Sequence, residues 1–331
     1  MRDAFLLGAG FSQAVHEEMP TMDELFRKLK PLVGVENGVD PDVYEYACKS
    51  GKVETLLTYY AIPSPSDDHI AVLRKRVVAA RLEQSIGLVL ACRERHLNRL
   101  AHCTNLGQKL VNRWDEQGSH VLTANYDTLV EQLSGYLDDA QVPILYPITV
   151  VPLEASTRPI PAAHAEIPVL QLYKLHGSVS WYTSQDKSNS DPIYGFVDFG
   201  PPPFTPPEKL LGGKRRFIAP PVHDKSTLLG HELMRDLWRQ AKDNALVPAE
   251  RLYVIGYSLP ETDMAMRTLL WESGRSAKRG ERIRKIPLYL VDSNCSLADH
   301  YGKMLGDYYE VNGTYLGDDA FKRFVNDYAG D

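Results

Sequence analysis

The sequence predicts an α/β protein, a Rossmann-like parallel sheet with helices on both faces, interrupted by an inserted helical subdomain. Three observations predict it. An apolar run, Ala4-Phe5-Leu6-Leu7, leads straight into Gly8-Ala9-Gly10, as a buried first strand entering a tight strand-to-helix turn does. From residue 119 onward, strand-like and helix-like segments alternate, the pattern of a parallel sheet with crossover helices. Between these, residues 41–117 hold little glycine and almost no strand pattern. The expected division is one sheet domain over 1–40 and 118–331, with a helical insertion over 41–117.

Taken in order, residues 4–8 form the first strand. Residues 22–30 read as a helix, with Leu25, Phe26 and Leu29 on one face. Pro63-Ser64-Pro65-Ser66 breaks the helical segment, so helices flank it on both sides. Beyond the break, Leu73, Val77, Ala80, Gln84, Leu88 and Cys92 form a helical stripe, with Arg74, Lys75, Arg81 and Glu83 off it. Strand character returns at 119–123, followed by a helix at 128–138, an extended stretch at 143–151 and a strand at 169–174. Residues 183–216 are polar and rich in Pro and Gly, including Pro201-Pro202-Pro203-Phe204-Thr205-Pro206-Pro207, and read as a long loop or small excursion. Then follow a short strand near 217–219, a helix at 228–244, a strand at 251–255, a helix at 263–276, a strand at 286–291, a helix at 296–305, a short strand at 308–311 and a helix at 318–328.

Composition narrows the function. The chain has 331 residues, 44% hydrophobic and 24% charged, enough to bury a large core. A net charge of −6 argues against a general nucleic-acid surface. Cys48, Cys92, Cys103 and Cys295 are scattered with no C-x-x-C spacing, which disfavours a disulfide framework and a cysteine zinc site. The most apolar stretch, from Ile86 to Cys92, falls far short of the ~20 residues that span a bilayer. The expected location is the cytoplasm, with no membrane or targeting segment.

Five motifs follow predicted strands. Gly8-Ala9-Gly10-Phe11-Ser12 lets backbone approach a pyrophosphate at a helix start. It departs from the dehydrogenase fingerprint: Gln13 stands where a third small residue belongs, and Asp23 and Glu24 lie in a helical pattern rather than at a strand tip. A plain tight turn would look the same. Thr123-Ala124-Asn125-Tyr126-Asp127 ends the second strand. Thr128 and Glu131 have the spacing of a capping box, whereas Asn125 offers an amide to a water or a ribose hydroxyl. Lys174-Leu175-His176-Gly177-Ser178 places a histidine, whose ordinary pKa suits general-base work, at a strand end. Gly256-Tyr257-Ser258-Leu259-Pro260 precedes Asp263, read as the cap of the next helix, and Val291-Asp292-Ser293-Asn294 follows another strand. In a parallel sheet these five ends share one edge, so their loops converge on one extended ligand.

On these residues the chain resembles the sirtuin family, in particular the sirtuin-like proteins of bacterial antiphage defence. The resemblance rests on Gly8-Ala9-Gly10-Phe11-Ser12 with Pro20 shortly after, on Thr123 to Asp127, on Leu175-His176-Gly177-Ser178 and on Gly256-Tyr257-Ser258, covering roughly residues 4–30 and 119–295. It implies NAD as the ligand, Asn125 and His176 as the catalytic pair, and Asp127 near the nicotinamide carboxamide. It also implies Gly8, Ala9, Gly10 and Ser12 at the pyrophosphate, and Gly256, Ser258 and Asn294 along the ribose and adenosine.

The departures are informative. Protein-deacylating sirtuins carry a zinc module held by two cysteine pairs after the catalytic histidine, but residues 183–216 contain no cysteine, so no zinc module and no metal are expected. Ala124 replaces the glutamine that precedes the asparagine in those enzymes, and Thr21-Met22-Asp23 replaces their Asp-Phe-Arg. The expectation is therefore an NAD⁺ glycohydrolase releasing nicotinamide and ADP-ribose, a regulated effector of antiphage defence by NAD⁺ depletion. Two alternatives stand beside it: an NAD-dependent deacylase or ADP-ribosyltransferase, and a non-catalytic nucleotide-binding assembly subunit. The resemblance further implies control by homo-oligomerisation or by a partner such as a HerA-like ATPase or a short Argonaute.

Overall fold

The computed structural model describes residues 2–20, 24–25, 38–50, 53–100, 105–134, 146–152, 170–184, 190–195, 213–219, 229–279 and 285–330. The elements are β1 (Asp3–Leu7), α1 (Ala9–Val15), α2 (Pro41–Ser50), α3 (Val53–Ala61), α4 (His69–Leu100), α5 (Asn105–Glu116), β2 (His120–Thr123), α6 (Leu129–Leu133), β3 (Val150–Pro152), β4 (Gln171–Lys174), β5 (Gly177–Thr183), β6 (Ile193–Gly195), β7 (Arg215–Ile218) and α7 (Glu232–Gln240). After them come a π-helix (Ala241–Leu246), β8 (Arg251–Ile255), α8 (Met264–Arg279), β9 (Ile286–Asp292), α9 (Leu297–Leu305), β10 (Tyr309–Leu316) and α10 (Ala320–Ala329).

Six strands form one parallel sheet in the order β10-β9-β8-β1-β2-β4, flanked by helices. Renumbered along the chain, the sheet order is 3-2-1-4-5-6, the doubly wound arrangement whose order reverses beside its first strand. All strands run the same way because each connection crosses over through helical or longer segments. One register line crosses the whole sheet near its C-terminal edge: Lys174, Thr123, Leu7, Ile255, Val291 and Tyr315 are paired in turn. β1 is buried along its full length, so its run of apolar residues needs no polar alternation. Phe5 packs between Trp114 of α5 and Tyr253 of β8, with ring centroids 5.0 and 5.1 Å away. Asp3 binds Arg251 through two hydrogen bonds of 2.8 and 2.7 Å and so ties β1 to β8.

Of the stretch 183–216, read as a long loop or small excursion, residues 185–189 and 196–212, the proline cluster included, lie outside the described residues, and the described remainder holds strand. β5, β6 and β7 lie in it or beside it, and with β3 they build a second, four-stranded sheet in the order β3-β6-β5-β7. β5 is buried throughout, Ser178 and Ser180 included. Their hydroxyls bond each other at 2.9 Å, which lets a strand with serines facing inward sit in a core.

Helices fill the described part of 41–117. Leu56, Leu57, Tyr60, Val78, Leu82, Ile86 and Leu90 form a second core, completed by Tyr126, Val179 and Ile218. α5 does not share it: Leu110, Val111 and Trp114 belong to the core of the large sheet. Most of the helix expected at 22–30 lies outside the described residues, as does the end of that expected at 128–138. No helix among the described residues is long and apolar enough to cross a membrane.

An ion pair is buried under the β2–α6 turn. The Lys174 ammonium bonds Glu131 Oε1 at 2.9 Å and also donates to the Asp127 carbonyl, and both side chains are almost fully buried. Tyr146 donates to the same Glu131 oxygen at 2.9 Å. The anticipated capping box is absent here because Glu131 turns inward to Lys174. Lys174→Met strands a buried carboxylate, and a loss of about 3–5 kcal/mol is expected, read as a shift in the denaturation midpoint at constant slope.

Candidate active site

The register line puts Gly8, Ala124, Leu175, Gly256 and Asp292 each one residue past the same rung of the sheet. All five strand-end motifs therefore meet at one edge. Asn125 and His176 each stand two residues beyond the Thr123–Lys174 pair, on neighbouring parallel strands, which lie about 4.8 Å apart.

The glycines are required by close backbone packing at the point where the strand order reverses. Gly8 N–H donates to the Ile255 carbonyl and Gly10 N–H to the Gly256 carbonyl, both at 3.0 Å. A Cβ on Gly8 would lie 2.4 Å from Gly256 O, and one on Gly10 would lie 2.7 Å from Gly256 Cα. The first turn of α1 and the turn after β8 thus brace each other, and Gly10 N–H is occupied by protein. Ala9 and Gly10 remain half-buried at the rim.

Around this turn Asn125, Ser12 and Asp127 form a relay. Asn125 Nδ2 donates to the Gly8 carbonyl and to Ser12 Oγ, each at 2.8 Å. Ser12, 2% exposed, donates a hydrogen bond to Asp127 Oδ2 at 2.6 Å. A carbonyl only accepts, so the atom facing Gly8 is the amide nitrogen, and Oδ1 is what Asn125 offers to a water or hydroxyl. Burial pushes the Asp127 carboxyl above the ordinary carboxylate range, against the nearby Lys174 ammonium and the Ser12 hydroxyl, which favour its charge. Asp127 Oδ1 accepts from Leu129 N–H at 3.2 Å and holds the start of α6.

His176 is 5% exposed and set between two rings: Tyr126 and Trp238 each have centroids 6.3 Å away. Trp238 is fixed by its indole N–H donating to the Leu175 carbonyl at 2.9 Å. His176 Nε2 lies 3.3 Å from Asp263 Oδ2, and Tyr257 donates its hydroxyl to that oxygen at 2.7 Å. Burial, and then the adjacent Asp263, push the Tyr257 pKa up, so it stays a donor. Asp263 Oδ1 accepts from Met266 N–H at 3.3 Å. Asp263 is thus the helix cap that its position suggests, but its second oxygen binds the histidine. Its partnership with His176 spans 87 positions, and no local spacing announces it.

Ser258 and Asn294 lie on exposed turns after β8 and β9. Asn294 Oδ1 accepts from the Ser296 N–H at 3.0 Å and from its hydroxyl at 2.8 Å, shaping the start of α9. A polar cavity of about 470 Å³, lined in part by Arg2, Ser119, His120 and Gln171, opens at the opposite, N-terminal edge of the sheet, away from all five motifs. In doubly wound sheets ligands sit at the C-terminal edge, and there the described side chains pair histidine with carboxylate and amide with hydroxyl. Among the described residues, no group of His, Cys, Asp and Glu is arranged to hold a metal ion.

No protein-family model and no curated protein matches the chain.

Proposed function

We propose that the chain is a sirtuin-like NAD⁺ glycohydrolase that cleaves the bond between nicotinamide and ribose. The observation that carries the reading is the placing of an oriented amide, Asn125, and a carboxylate-bound histidine, His176, at equivalent positions on adjacent strands of a doubly wound sheet. Such a sheet binds nucleotides at this edge. The leaving nicotinamide is cationic and departs neutral, so its protonation is not needed. Catalysis then consists of stabilising a cationic sugar and delivering water to it.

In this reading Asn125 Oδ1 accepts a hydrogen bond from the attacking water and places its oxygen against the ribose. His176 removes a proton from that water or from a ribose hydroxyl. Asp263 is a positioning residue: its carboxylate holds the proton on Nε2, which makes Nδ1 the basic nitrogen. Ser12 and the Gly8 carbonyl fix the Asn125 amide, and Asp127 faces the carboxamide. Ala9 and Gly10 line the pyrophosphate side, with Gly256, Ser258 and Asn294 toward the ribose and adenosine. The activity is that of a regulated defence effector, switched by assembly or by a partner protein.

The direct test is release of nicotinamide and ADP-ribose from NAD⁺, followed by chromatography, with the chain alone and with candidate activators. Absence of both products under every condition overturns the proposal. Asp263→Asn keeps the shape but loses the carboxylate. It is expected to lower kcat about 10²-fold with KM little changed and to displace the pH profile, whereas a purely structural residue would move stability and leave the profile in place.

A further inference from the structure

Helix α4 has two apolar faces, and among the described residues only one of them is covered. Val78, Leu82, Ile86 and Leu90 are buried in the second core. At 100° per residue, the stripe Leu73, Val77, Ala80 and Gln84 lies on the opposite side, and Ile70 joins it one turn earlier. Ile70 is 59%, Leu73 46% and Val77 52% exposed, and Ala80, Gln84 and Cys92 are exposed too. An amphipathic helix needs one apolar stripe to face its own core. Here the outward stripe has the a/d spacing, 70-73-77-80-84, of a helix-pairing seam.

The flanks indicate the occupant. Arg74 and Arg76 stand on either side of the stripe, both exposed, and neither enters an ion pair among the described residues; one heptad on, Arg81 follows on the Arg74 side and Glu83 on the Arg76 side, so three of the four flanking charges are basic. Two copies pairing antiparallel through this stripe would set Arg76 against Glu83 but Arg74 against Arg81, and a parallel pairing would bring arginines together, which like charges oppose. A helix with apolar a and d positions and acidic e and g positions satisfies both features. We infer that the outward face of α4 docks an amphipathic, acidic-flanked helix of a partner protein. The inference rests on the fold and not on the proposed activity.

The probe is a designed three-heptad peptide with Leu at a and d and Glu at e and g, and its twin with Lys at e and g, titrated against the full chain by fluorescence anisotropy. The Glu peptide is expected to bind at least about tenfold tighter than the Lys peptide, a difference of about 1.4 kcal/mol or more, and to weaken with salt. The double variant Leu73→Glu/Val77→Glu is expected to lose that binding, and Arg74→Glu/Arg76→Glu to reverse the preference. Circular dichroism and thermal melting of the variants check that the fold persists, as these sites are exposed. Failure of the Glu peptide to bind, equal binding of the two peptides, or binding that survives in the Leu73→Glu/Val77→Glu variant would overturn the inference. So would a dimer seen by sedimentation and dissolved by that variant, which would give the face to a second copy, or variant-sensitive pelleting with phosphatidylcholine–phosphatidylserine vesicles, which would give it to a membrane.

Discussion

Replacing His176 by alanine is expected to reduce NAD⁺ cleavage about 10²–10⁴-fold, the usual contribution of a positioned general base. His176 is the better-defined half of the pair because three side chains hold it: Asp263 at 3.3 Å on Nε2, Tyr126 on one flank and Trp238 on the other. Asn125→Ala is expected to cost as much. It leaves the Gly8 carbonyl and the Ser12 hydroxyl without their amide donor and removes the acceptor that would orient water. Both variants should be read by product release at saturating NAD⁺ and by nucleotide binding in a thermal-shift assay. Loss of turnover with binding retained assigns the two residues to chemistry. Unchanged turnover in either variant removes that residue from the mechanism.

Gly256→Ala is expected to be the most damaging small substitution in the site. Gly256 has φ +63°, and a Cβ there would lie 2.2 Å from the Phe11 nitrogen and 2.4 Å from the Gly10 carbonyl carbon. The left-handed conformation alone costs a non-glycine residue about 1–2 kcal/mol. The clash is with backbone, which a rotamer change cannot relieve, so a total loss above about 3 kcal/mol is expected. Gly317→Ala is the matched control. Its φ is +99°, yet nothing lies within 4 Å of its Cβ position, so only the conformational cost applies. Comparing the two by chemical denaturation separates packing at the β1–β8 turns from backbone preference.

How much of this was legible in the sequence follows from how local each cause is. β1, β8 and β9 could be read because buried parallel strands are short continuous apolar runs ended by glycine or aspartate, and β8 occupies the expected Arg251–Ile255. The convergence of the five strand ends follows from the parallel topology alone. β5 escaped because Gly177-Ser178-Val179-Ser180 looks like loop, and its serines are satisfied only by each other and by the strand's surroundings. The His176–Asp263 contact escaped because it joins distant strands, and a capping role already accounted for Asp263. α4 shows the opposite limit. Its most regular stripe was visible in the periodicity, but periodicity marks an apolar face without telling which of two such faces the fold will cover.

The π-helix after α7 has a consequence for how such a chain changes by insertion and deletion. Val247 N–H bonds the Lys242 carbonyl five residues back, at 2.9 Å. In a regular α-helix five residues turn the chain about 500°, which would leave Leu246 roughly 140° away from Ala241. The wide turn cancels that offset, so Trp238, Ala241, Ala245 and Leu246 all reach the core. A π-turn amounts to one extra residue carried within a helix. Deleting a single residue between 241 and 246 would restore ordinary winding and leave the two ends of this helix in phase, with Trp238 still beside His176 and Leu246 still on the sheet. The aromatic wall of the histidine is therefore insulated from a one-residue change in the length of this helix.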